Sequence, residues 1–183
     1  MVAGLIEMVV ESVRVHTLST QHVVILRETG RDRYLPIWIG PWEANAIALK
    51  LQGVSPERPL THDLFARTLS ALGVAIVRIV VSDLADETFR ARIVLDHGGR
   101  AHEIDARPSD AIALAIRAGA PIFATHDVLD RAGVIPETDE QERLSVFRQF
   151  VNSLDVELEG PGGPPPDERG RGPGSQPPPR PGR

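Results

Sequence analysis

Two short polar clusters stand out in an otherwise aliphatic chain: Arg58, Thr61, His62 and Asp63, then Arg107, Ser109 and Asp110. Each surrounds a Pro and sits just ahead of a run with helical periodicity. A third stretch, Leu35-Pro36-Ile37-Trp38-Ile39-Gly40, leads into Glu43 in the same way. The first backbone N–H groups of a helix have no intrahelical partner, and the helix dipole adds partial positive charge there. A helix start carrying Arg, His and Ser is therefore suited to a phosphate. Three such starts in one small domain point to a shared cleft rather than to packing alone.

His62 and Asp63 carry the clearest chemistry. With Thr61 as N-cap both fall in the first helical turn, where the dipole favours a carboxylate and a neutral imidazole. A neutral His62 there can take a proton from water or from a ribose hydroxyl. Asp63 either holds a metal, orients the ring, or simply complements the dipole. Arg107 can fork onto a phosphate or a carboxylate, and Ser109 can donate a hydroxyl hydrogen bond. Ser109 and Asp110 also suit the start of any helix.

Asp105 shares a strand face with Glu103, and Glu43 opens the first helix. Hard oxygen ligands of this kind suit Mg²⁺ or Mn²⁺. The plainer reading pairs Asp105 across the strands with Arg92 and gives Glu43 a dipole role. Trp38 and Trp42 could stack bases, but at this spacing Trp38 reads as a core anchor.

Familiar nuclease motifs are missing. The only lysine is Lys50, preceded by Ala48 and Leu49, so no PD-(D/E)xK metal site can form. There is no HExxH helix, and no Gly-rich phosphate loop ends in Lys.

The strings LPIWIG, RPLTHDL and DARPSDAIALAIR, in this order, resemble the bifunctional nuclease domain of bacteria and plants. The similarity runs from about Met8 to about Gly133. It implies an enzyme that cuts both RNA and DNA. In that reading His62, Asp63, Arg107 and Asp110 are catalytic, Arg58, Thr61 and Ser109 contact substrate, and Glu43 with Asp105 meets a divalent ion. The alternative is a non-catalytic oligomeric module that binds a phosphorylated ligand. Its support is the net charge of −5, which argues against a general nucleic-acid coat.

The elements that must position these groups are legible in outline. Leu5 to Val15, Gln21 to Arg27, Tyr34 to Ile39 and Val74 to Val81 are rich in β-branched residues and read as strands. Glu87 to Asp96 and Arg100 to Ala106 read as a hairpin on Gly98-Gly99, with Ile93 opposite Ile104 and Arg92 opposite Asp105. Helices are expected over Pro41 to Gln52, from Thr61 to Gly73, and from Pro108 or Ser109 to Gly119. A short strand near Pro121 to Ala124 and a short helix near His126 to Ala132 follow. Strands, helices, strands and helices in that order predict an α+β fold, a single domain with a largely antiparallel or mixed sheet and helices packed on it.

That domain is expected over residues 1–135. Residues 136–159 add a final helix, whose Leu144, Phe147, Val151, Leu154 and Leu158 form an apolar seam. The seam either covers the sheet or joins subunits, and a homo-oligomer is expected. From Gly160 to Arg183, 16 of 24 residues are Gly or Pro, the composition of a disordered tail. The chain has no cysteine, no signal peptide and no apolar run long enough for a bilayer, which together predict a soluble cytoplasmic protein. A stop codon after Glu159 should leave the melting temperature nearly unchanged, and loss of soluble protein would show that the tail packs.

Overall fold

In a computed structural model, residues 4–15 and 21–135 are described. The segments expected to form the final helix and the tail lie outside them. Seven strands form one mixed sheet, with four helices. They run β1 (Leu5–Val15), β2 (His22–Glu28), β3 (Tyr34–Ile39), α1 (Pro41–Leu51), α2 (Thr61–Ala71), β4 (Val74–Ala85), β5 (Thr88–His97), β6 (Arg100–Ala106), α3 (Pro108–Ala118), β7 (Ile122–Thr125) and α4 (His126–Ala132). The sheet order is β3-β2-β1-β7-β4-β5-β6. Every neighbouring pair is antiparallel except β4 with β7. The expected α+β single domain is what the chain forms.

Alternation fixes which face is core. Ile79, Val81, Ala91 and Ile93 join Met8, Val24, Leu26, Leu35 and Ile37 in one buried cluster with Ile47, Ile112, Val128 and Leu129 of the helices. The helices therefore lie on one face of the sheet. Ile93 opposes Ile104 and Arg92 opposes Asp105, as the Gly98-Gly99 turn requires. Both glycines have positive φ, +61° and +80°, the conformation a tight two-residue hairpin loop demands.

Three local features depart from expectation. Helix α2 is capped by Leu60, not Thr61, and the Asp63 carboxylate accepts the Leu60 N–H at 3.0 Å. The acid at the third helical position thus satisfies the N-cap N–H, the reciprocal half of a capping box, and no N-cap hydroxyl serves the first turn. The β4–β5 hairpin closes on Asp86-Glu87 with both residues at positive φ, 48° and 59°, so β4 runs four residues past the expected Val81, to Ala85. Arg92 bonds the diagonal Glu103 at 3.0 Å rather than the facing Asp105.

Helix α3 is the centre of the helical layer. Ala111, Ile112, Ala113, Leu114 and Ala115 are all buried, and the helix packs on α1, α2, β4 and β5. Helix α1 answers with buried Ala44, Ala46 and Ala48. Small side chains on both partners let helix axes approach closely, since contact residues set the spacing. That closeness brings the starts of α1 and α3 together.

Leu129 of α4 is fully buried against this core. Leu129→Ala should cost about 2–5 kcal/mol in urea unfolding, whereas Arg92→Ala should cost less than about 1 kcal/mol. Equal losses would mean that the β5–β6 surface carries more of the fold than its exposure indicates.

Candidate active site

Helices α1, α2 and α3 start at one place, and their first turns are joined by a continuous chain of charged side chains. Arg107 is the N-cap residue of α3, in extended conformation just before Pro108. Its Nε donates to Asp110 Oδ2 at 2.7 Å, and its Nη2 donates to Asp110 Oδ1 at 3.1 Å and to Glu43 Oε1 at 2.8 Å. His62 Nε2 lies 3.0 Å from the same Asp110 Oδ1. The chain is therefore Glu43–Arg107–Asp110–His62, drawn from three helices.

The protonation states follow from these contacts. Burial pushes the Asp110 carboxyl up, but hydrogen bonds from Arg107 and His62 outweigh it and hold the group below the usual carboxylate range. Hydrogen bonds to Asp110 and Glu43 push the Arg107 guanidinium up. An ionised Asp110 only accepts, so in the neutral tautomer the proton of His62 sits on Nε2 and the Nδ1 lone pair is left to accept. Nδ1 has no protein partner among the described residues. The two Nη1 donors of Arg107 are likewise unused there, on a side chain that is 66% exposed.

Asp63 lies next to His62 in sequence but outside this chain. Its Oδ1 accepts from Arg117 Nε at 2.6 Å, and its Oδ2 from the Leu60 N–H. Burial raises the Asp63 carboxyl, yet the bonds from Arg117 and Leu60 bring it below the usual range. With both oxygens committed, Asp63 is a structural tie in this arrangement. Arg117 was not singled out in the sequence. Its side chain is only 6% exposed, and Nη1 and Nη2 donate to the carbonyls of Ala113 and Ala46. One signal pointed to it: Arg117 stands in the last turn of α3, where a cation suits the dipole.

The remaining sequence candidates are placed differently. Ser109 is 6% exposed at the second position of α3, so it belongs to the helix start and not to an open surface. Thr61 is exposed at the first position of α2 and does not cap it. Arg58 is exposed in the α1–α2 connection, with no ion pair among the described residues. Trp38, read as a core anchor, is 51% exposed on the sheet face away from the helices, opposite Val23.

The metal pair of Glu43 and Asp105 does not assemble. Strand alternation sends Ile104 toward the helices and Asp105 to the other face of the sheet, while Glu43 is bound to Arg107. Among the described residues, no three His, Asp or Glu side chains form a group able to hold a metal ion. None of the helices described is long and apolar enough to cross a membrane.

Gly40 owes its identity to the same site. A Cβ there would stand 2.3 Å from Glu43 Oε2, although its φ of −72° is open to any residue. Glycine leaves room for the Glu43 carboxylate to fold back along the helix start while gripping Arg107.

The fold and site define an α+β domain whose helix starts converge on a His–Asp–Arg–Glu chain. The profile of the bifunctional nuclease domain matches residues 24–137, and the chain belongs to that family. An uncharacterized protein of Mycobacterium tuberculosis is 44% identical over 157 residues, covering 81% of this chain and 94% of that protein. Bifunctional nuclease 1 of Oryza sativa subsp. japonica is 25% identical over 148 residues, 78% of this chain and 45% of its own length. Bifunctional nuclease 2 of the same plant is 25% identical over 152 residues, 80% and 46%. The chain thus spans about half the length of these plant relatives.

Gly40→Ala tests the packing argument. The variant should fold with a loss of no more than about 1 kcal/mol, the scale of an N-cap change. Its crystal structure should show Glu43 moved out of hydrogen-bond distance from Arg107. An unmoved carboxylate would mean that the backbone gives way instead.

Proposed function

We propose that this domain is a nuclease that hydrolyses phosphodiester bonds of RNA and DNA, with His62 as the proton-transfer group. The observation that carries this reading is the single Asp110 carboxylate shared by His62 and the exposed Arg107. The family and the names of the plant relatives support the nuclease class. The residue roles are inferred from the geometry.

In this mechanism the Nη1 donors of Arg107 hold a non-bridging oxygen of the scissile phosphate. Water attacks phosphorus as His62 Nδ1 takes its proton; the new O–P bond forms as the bond to the leaving oxygen breaks. The imidazolium, stabilised by Asp110, then returns that proton to the leaving oxygen. Water as nucleophile serves RNA and DNA alike, because no ribose hydroxyl is required. Glu43 and Asp110 position Arg107, and Asp63 and Arg117 position the start of α2. Among the described residues no three acidic or His side chains gather into a metal site, and no step is assigned to Mg²⁺ or Mn²⁺.

The second reading, a regulatory module for a phosphorylated ligand, draws on one observation. Both acids on Arg107 already neutralise it, as in a purely structural tie. Purified protein with labelled RNA and DNA separates the two. Wild type should cleave both, with EDTA leaving cleavage in place. His62→Ala should lower the rate about 10²- to 10⁴-fold on both substrates without unfolding the protein. Undiminished cleavage by His62→Ala would overturn the proton assignment. No cleavage by wild type, together with binding of a phosphorylated ligand, would favour the second reading.

A further inference from the structure

Trp42 is the most exposed large apolar side chain among the described residues, at 82%. It sits at the second position of α1, directly before Glu43. Neighbouring residues of a helix diverge by about 100°, so the two side chains look in different directions. Glu43 turns into the α1–α3 seam, where its own side chain is 16% exposed and bonds Arg107. Trp42 turns to solvent. Consecutive Cα atoms lie about 3.8 Å apart, so the indole springs from a point one residue removed from the acid that grips the phosphate-binding arginine.

A flat apolar ring on the residue next to the acid that holds a guanidinium with two unused donors matches one chemical unit, a nucleotide with an unpaired base. The arginine takes phosphate, and the indole takes the face of a base. Bases within a duplex are already stacked on their neighbours and offer no free face, whereas single strands do. We propose that Trp42 is a base-stacking residue at the rim of the site and that it selects single-stranded nucleic acid. This proposal rests on the nuclease reading for its placement, but binding tests it separately from cleavage.

The experiment uses full-length His62→Ala protein, so that any bound strand stays intact. The probes are a labelled oligothymidylate and its duplex with oligoadenylate. Adding Trp42→Ala should weaken single-strand binding about tenfold to a hundredfold, the scale of one lost stacked base, with duplex binding unchanged. Trp42→Phe should recover most of the affinity. With Trp38→Phe in place, Trp42 is the only tryptophan, and its fluorescence should be quenched on adding oligothymidylate. Unaltered single-strand affinity in Trp42→Ala, or equal losses on both probes, would overturn the assignment. A fall in molecular mass of Trp42→Ala by light scattering would also overturn it, because the indole would then belong to a contact between copies. If wild type cleaves nothing while Trp42-dependent binding persists, the nuclease reading fails and this one stands.

Discussion

The buried guanidinium of Arg117 is the constraint on which the arrangement of the three helices depends. It reaches from the last turn of α3 to Asp63 at the start of α2 and to the carbonyl of Ala46 inside α1. A charge this deeply buried is tolerable only when its donors are satisfied, because removing either partner of a buried pair costs about 3–5 kcal/mol. Here Nε, Nη1 and Nη2 all have acceptors, two of them backbone carbonyls that a helix cannot withdraw. The arginine therefore sets the position of α2 against α3, and with it the position of His62 relative to Asp110. Without such a tie α2 would be poorly anchored, since none of its residues is buried.

Asp110 then converts packing into chemistry. One carboxylate meets Arg107 through both oxygens and His62 through one of them. The bidentate grip orients the guanidinium, and the single bond to Nε2 selects the tautomer of the ring. The same residue thus holds the two groups to which the proposed mechanism gives the phosphate and the proton at neighbouring positions. Glu43 adds a third restraint from α1, and Gly40 leaves it the room to do so.

The sequence disclosed the parts of this arrangement governed by local rules. β-branched runs, the Gly98-Gly99 turn and the Pro and Gly residues bounding α1 and α3 placed the main elements, and alternation placed Ile93 and Ile104 on the helix face. Local rules failed where a residue's partner is distant in the chain. Thr61 looked like the cap of α2, but the cap is Leu60, whose N–H is taken by Asp63, a carboxylate that Arg117, 54 residues further on, holds in place. Asp105 looked like a ligand beside Glu43, but only the sheet register reveals that it faces away from the helices. The Asp86-Glu87 turn was invisible because it lacks the glycine that normally announces positive φ. Residues in that conformation cost of order 1 kcal/mol or more each, which the long β4–β5 ladder offsets.

The charge balance of the site has its own consequence. Within the ion-paired network, Glu43, Asp63 and Asp110 supply three carboxylates against the two guanidinium groups of Arg107 and Arg117, with His62 left out of the count. Arg117 is buried and committed to the fold, so of the two arginines ion-paired within the site only Arg107 is exposed. Proteins that grip nucleic acid mainly through phosphates do so by releasing several counterions, and affinity then falls steeply with salt. A network whose exposed arginine already carries two acids has little of that attraction to draw on. Its grip has to come from contacts that ignore charge, and the face of an unpaired base is the part of a nucleic acid that offers them. An acidic chain with an exposed indole at the start of α1 fits the proposed division of labour, in which Arg107 would position phosphate and stacking would supply affinity.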